Sequence, residues 1–251
     1  MPVQTLTPHD LIGLGLDVVD LSAPVTMAEM RTRSPVGVIV HSPGVTYVAA
    51  VAKALGHRAG DDEVLDEGVA KGLDGREYRP GYLIGRSGIV YLLERDDTHT
   101  SHAASLSKAH YSMHWRRWAR PLGGEGWIEH GRDGHVVYDW WDRAFGADTS
   151  PLDLPTGRYP NRAIGVDIRP SPTDGSFAAL QIAALGVLVR ALATCHNFAP
   201  DSRHILTHSL AAPLERGTVL RGSRVIGVHW DPPAKHYRHA AVLAALKESE
   251  T

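Results

Sequence analysis

The chain has 251 residues and a formal net charge of -2, with 43% hydrophobic residues, one cysteine and fifteen histidines. That length suits one large domain, or one domain carrying an insertion, with enough apolar residues for a core. The charge argues against a nucleic-acid binder, and the short basic run Arg116-Arg117 with Arg120 does not change this. Cys195 alone excludes an internal disulfide or a multi-cysteine metal site. It sits in an apolar run and reads as an inert buried thiol. A metal site is therefore expected to draw on histidine and carboxylate. No apolar stretch of bilayer-spanning length is read, so no membrane insertion is expected. Met1 to Asp10 lacks the basic patch and apolar run of a signal peptide. The expected location is cytoplasmic until lysis, or delivery by a secretion or phage-like machine.

In chain order, residues 1–35 give few strong signals. Val36 to His41 is a short β-branched run between Pro35 and the Ser42-Pro43-Gly44 turn, and predicts a buried strand. Thr46 is placed to cap a helix running to Leu55 and stopped by Gly56. Residues 59–80 are charged and glycine-rich, which predicts a loop with one short helix. Gly81 to Gly85 and Ile89 to Leu93 predict a β-hairpin around Arg86-Ser87-Gly88.

Residues from about 104 to 160 form a tryptophan-rich insertion, holding Trp115, Trp118, Trp127, Trp140 and Trp141. Ala163 to Ile168 predicts another strand. Phe177 to Cys195 carries Phe177, Leu180, Ala184, Leu188 and Leu192 near helical spacing, with Asp174 as a cap before it. His204 to His208 reads as a short strand, Leu214 to Gly227 as an extra loop, and residues 235–247 as a closing helix. Strands and helices alternate, so the expected class is α/β. One central mixed β-sheet is flanked by helices, in a single domain over 1–251.

His41 ends the first strand and His208 a late one. Asp231 follows in His229-Trp230-Asp231-Pro232-Pro233. Strand ends hold ligands firmly while the following loops leave room for substrate. Two histidines and a carboxylate leave a fourth position on tetrahedral zinc for water, the pattern of catalytic zinc. Spacing alone does not separate this reading from that of ordinary surface or hydrogen-bonded histidines, because no short metal motif is present.

Taken in order, the segments resemble the type-2 N-acetylmuramoyl-L-alanine amidases, which include phage lysozyme-type amidases and peptidoglycan-recognition proteins. The resemblance rests on Val38-Ile39-Val40-His41-Ser42, then Tyr82-Leu83-Ile84-Gly85-Arg86-Ser87-Gly88-Ile89-Val90-Tyr91, then His102-Ala103. It continues through Ala163-Ile164-Gly165-Val166-Asp167 and a helix with an early Gln181. It closes on Thr207-His208-Ser209-Leu210-Ala211-Ala212-Pro213 and His229-Trp230-Asp231-Pro232-Pro233.

The resemblance implies a fold like that of these amidases, with His41, His208 and Asp231 as zinc ligands. It implies Asp167 as the general base and acid, in place of the family's usual glutamate. It implies His229 as the oxyanion stabiliser, where the family has lysine, and His102 as a groove residue. Trp115 and Trp118 are candidates to stack on sugar faces, or to form the insertion's own apolar cluster. The implied activity is hydrolysis of the amide between N-acetylmuramic acid and L-alanine, in peptidoglycan or its muropeptide fragments; the sequence does not set the oligomeric state, and a monomer is expected. The implied class is that of hydrolases of the cell-wall-degrading, endolysin type. Alternatives are a peptidoglycan-binding module without catalysis and a zinc hydrolase of another amide. A serine hydrolase is set aside, because Gly85-Arg86-Ser87-Gly88 lacks the Gly-x-Ser-x-Gly elbow.

Overall fold

The computed structural model describes residues 4–22, 34–56, 62–74, 80–98, 163–201, 204–208, 218–221, 224–227, 232 and 236–248. The tryptophan-rich insertion, with Trp115 and Trp118, lies outside the described residues, as do His102, His229 and Asp231.

Within residues 1–35, where few strong signals are read, lie α1 (Pro8–Gly13) and β1 (Val18–Asp20). The signal was present in Thr7-Pro8-His9-Asp10. The Thr7 hydroxyl accepts the Asp10 N–H at 3.2 Å, and the Asp10 carboxylate accepts the Thr7 N–H at 2.9 Å. Such a reciprocal cap, with proline in the first turn, starts a helix too short to stand alone. Leu11 then anchors it in the core.

β2 (Gly37–His41) leads into α2 (Val45–Ala54), which starts after Gly44 without a side-chain cap instead of at Thr46. Residues 62–74 form α3 (Asp62–Asp74), a 13-residue helix and longer than the glycine content suggested. Its glycines serve packing: a Cβ on Gly72 would collide with the Tyr47 hydroxyl of α2. β3 (Tyr82–Ile84) and β4 (Val90–Leu92) form the expected antiparallel hairpin. β5 (Ala163–Ile168) agrees with its expected bounds.

α4 (Ala179–His196) starts two residues later than expected, because Asp174 does not cap it. The Asp174 carboxylate accepts the Ser176 N–H and hydroxyl upstream, which holds it well below the usual carboxylate range. Gln181 does more of the capping: its side-chain oxygen accepts the Ala178 N–H at 3.3 Å. The helix ends at Asn197, which adopts the left-handed conformation (φ 57°) that stops a helix. α4 spans 18 residues and is long and apolar enough, by length and composition, to cross a membrane, contrary to the sequence expectation. Half of it is buried, with Leu185, Leu188, Val189 and Leu192 fully inside, while Leu180 in its first turn is exposed. Each of the buried side chains contributes about 1.5–3 kcal/mol of burial.

β6 (Ile205–Thr207) follows, and α5 (His239–Glu248) closes the chain. Between them, the segment read as a loop holds an antiparallel pair, β7 (Thr218–Arg221) and β8 (Arg224–Gly227). The missed signal is Gly222-Ser223 between Thr-Val-Leu-Arg and Arg-Val-Ile-Gly, a glycine-first turn sequence flanked by β-branched residues.

The architecture is α/β around one mixed six-stranded sheet, in the order β1-β4-β3-β5-β2-β6. β3, β5, β2 and β6 run parallel, and β4 with β1 runs the other way. Period-two alternation gives the sheet two different faces. Val38, Val40, Tyr82, Ile84, Ile164, Val166 and Ile168 share the main core with α4 and α5. Leu83, Tyr91 and Leu93 pack with Val48 of α2 and Leu65 and Val69 of α3.

Candidate metal centre at the strand ends

Parallel pairing brings three predicted residues level. His41, the last residue of β2, pairs in register with Asp167 of β5. On the other side Val40 is level with Thr207, so His208 comes beside His41. Residues level in parallel strands project to the same face. Asp167 is also level with Leu83, which packs on the α2–α3 side. A row of His208, His41 and Asp167 thus runs across the carboxyl ends of three adjacent parallel strands. Open α/β sheets commonly bind ligands outside this edge.

The two rings meet closely. Nδ1 of His41 lies 2.9 Å from Nδ1 of His208, with ring centroids 4.4 Å apart and the planes at 65°. Both residues are buried, at 4% and 0% exposure. Two imidazole nitrogens face each other at this distance by sharing one proton or one cation. Tetrahedral zinc with Zn–N bonds of about 2.05 Å sets its ligand nitrogens about 3.3 Å apart. A few tenths of an ångström separates the two, so the nitrogen pair fits a zinc ion. Asp167 is buried at 8% exposure, next to the pair in the strand row.

Surrounding anchors fix this end of the sheet. The Gln181 amide donates to the carbonyls of Ile84 (2.7 Å) and Arg169 (2.9 Å), sewing the start of α4 to the ends of β3 and β5. Arg169, two residues past Asp167, is fully buried. Its guanidinium bonds Asp66 of α3 through Nε and Asp62 through Nη2 at 2.5 Å. Asp66 also accepts the N–H groups of Arg86 (3.0 Å) and Ser87 (3.1 Å) in the hairpin turn. A Cβ on Gly85 would collide with that carboxylate, so the turn needs glycine there. The sequence reading missed Asp66 and Arg169; only their common burial identifies them.

Among the described residues, the one group of three His, Cys, Asp or Glu donors that could hold a metal ion is Asp96, Cys195 and His196, with one donor atom from each and all within 4.8 Å of one another. This corrects the expectation that any metal site would be built from histidine and carboxylate alone. Cys195 is partly buried, and its thiol is pushed up to about 11, first by burial and then by the Asp96 charge. A protonated thiol agrees with the reading of an unreactive cysteine.

The chain matches no known protein family, and no curated protein or solved structure is significantly similar to it.

Proposed function

We propose that the chain is a zinc-dependent amidase that hydrolyses the bond between N-acetylmuramic acid and L-alanine in peptidoglycan or its fragments. The observation that carries the reading is the His41–His208 pair, its Nδ1 atoms 2.9 Å apart at the ends of adjacent parallel strands and Asp167 in register beside it. The ordered motif resemblance supplies the substrate class.

In this reading His41 and His208 hold zinc, with Asp231 as the third ligand. Bound zinc supplies Lewis acidity and lowers the pKa of the attacking water. Asp167 takes the proton from that water and returns it to the leaving amine. The aspartate arm is one methylene shorter than the glutamate of the resembling family, so the backbone of β5 must set its reach. Burial of Asp167 between paired strands supplies that rigidity. His229 donates an N–H to the tetrahedral oxyanion. His102 contacts substrate in the groove, and Trp115 and Trp118 stack on its sugars.

The test combines metal analysis with digestion of purified peptidoglycan by wild-type, chelator-treated and His208→Ala protein. Stem peptides with a free alanine amine should appear with wild type, vanish on chelation, and fall at least about 1000-fold in the variant, the loss expected when a metal-anchored nucleophile is removed. Zinc binding at the histidine pair without peptide release would move the proposal to another amide. Wall binding without zinc or release would replace it with a binding module.

A further inference from the structure

We propose that Asp96, Cys195 and His196 form a second metal site, for zinc or a similar divalent cation, that clamps the end of α4 to the segment following β4. This site is separate from the histidine pair. α4 starts at the carboxyl ends of β3 and β5, where Gln181 bonds Ile84 and Arg169. Its 18 residues then carry the chain about 27 Å away before β6 begins. Cys195 and His196 are in its last turn.

The donor chemistry is that of zinc: one thiol sulfur, one imidazole nitrogen and one carboxylate oxygen, converging within 4.8 Å. Three protein ligands leave a fourth position open. Nε2 of His196 lies 3.1 Å from Oδ2 of Asp96, close to the edge of a tetrahedral ligand shell. Asp96 is oriented as ligating carboxylates are, by outer hydrogen bonds. Its Oδ1 accepts the Tyr82 hydroxyl at 2.6 Å, and its Oδ2 accepts the Leu6 N–H at 3.0 Å.

The His196 side chain is wholly inside the protein and faces the equally buried Asp96 carboxylate, so the two donors meet away from solvent. A thiolate and a carboxylate at this separation are compatible when a divalent cation lies between them. Binding releases the thiol proton to solvent, and the partly exposed Cys195 gives the cation a way in.

The chain's single cysteine makes the site spectroscopically unique. Cobalt(II) added to the metal-free full-length protein should give a near-ultraviolet thiolate-to-cobalt charge-transfer band. Zinc should abolish the band. His208→Ala should keep it, and His196→Gln should weaken the cobalt affinity at least about tenfold. No band with folded wild type at saturating cobalt would overturn the proposal. So would an unchanged affinity in folded His196→Gln, which would mean binding to the lone thiol only. A measurement on wild type alone guards against a variant that does not fold. Saturating zinc should slow the reaction of Cys195 with a thiol reagent at least about tenfold, and an unchanged rate would overturn the site.

Discussion

The two ends of the central sheet hold similar side chains by different means. At the carboxyl end, His41, Asp167 and His208 are placed by strand register, and Arg169, Asp66 and Gln181 lock the backbone around them. At the other end of α4, Asp96, Cys195 and His196 come from a loop and a helix terminus, joined through side-chain hydrogen bonds. The row is rigid because β5 and β2, which carry Asp167 and His41, have ladder partners on both sides, and His208 directly follows the edge strand β6. A loop–helix cluster depends on its own contacts, so a cation has more to add there.

The largest effect should come from breaking the lock at the carboxyl end. Asp66→Ala leaves the fully buried Arg169 guanidinium without its main counter-charge. Removing one partner of a buried ion pair costs about 3–5 kcal/mol. Urea denaturation should show a loss of this size. A loss under about 1 kcal/mol would mean that Asp62 alone sustains Arg169, and that Asp66 does not lock this end of the sheet.

A smaller effect tests how β6, and with it His208, is supported from α5. His239 donates from Nε2 to the Ile205 carbonyl at 3.1 Å, and its pKa is lowered to about 4, chiefly by burial, which the carbonyl bond only partly offsets. The folded state keeps this ring neutral, whereas the unfolded chain binds a proton below about 6.5. Unfolded chains therefore carry more protons between pH 6.5 and 4. The stability from His239 is complete above pH 6.5 and is lost as pH falls toward 4, by at most roughly 3 kcal/mol. His239→Gln keeps a donor for Ile205 and should flatten the stability curve over that window. An unchanged slope would assign the acid sensitivity to other groups.

The smallest effect sharpens the other end. Asn197 stops α4 in the left-handed conformation, directly after His196. Asn197→Ala should cost about 1 kcal/mol by thermal melting, because alanine is strained there. If the Asp96 cluster holds the helix end, excess zinc should recover part of that loss. If the cap acts alone, zinc should not change the difference between the variant and wild type.

Much of this protein was legible from its residues. A β-branched run between Pro35 and the Pro43-Gly44 turn marks β2, an apolar run marks β5, both of them buried along their whole length, and helical spacing marks α4. His41 was legible as the last residue of a strand, whereas His208, read as the last of a strand from His204, lies just past β6. The misses have physical causes. α1 rests on a four-residue cap and one buried leucine, too little for periodicity to reveal. α3 reads as loop because Gly72 serves contact with Tyr47, not a turn.

Local sequence determined which segments become strands and helices, since propensity, turns and alternation act over a few residues. Only the tertiary structure decided which side chains meet. The strand order put β2 between β5 and β6, bringing His41 within 2.9 Å of a histidine 167 positions away. The crossover of α4 carried Cys195 and His196 to Asp96, about a hundred residues earlier in the chain. Contacts at such separations follow from sheet order and helix crossing, which no local pattern encodes.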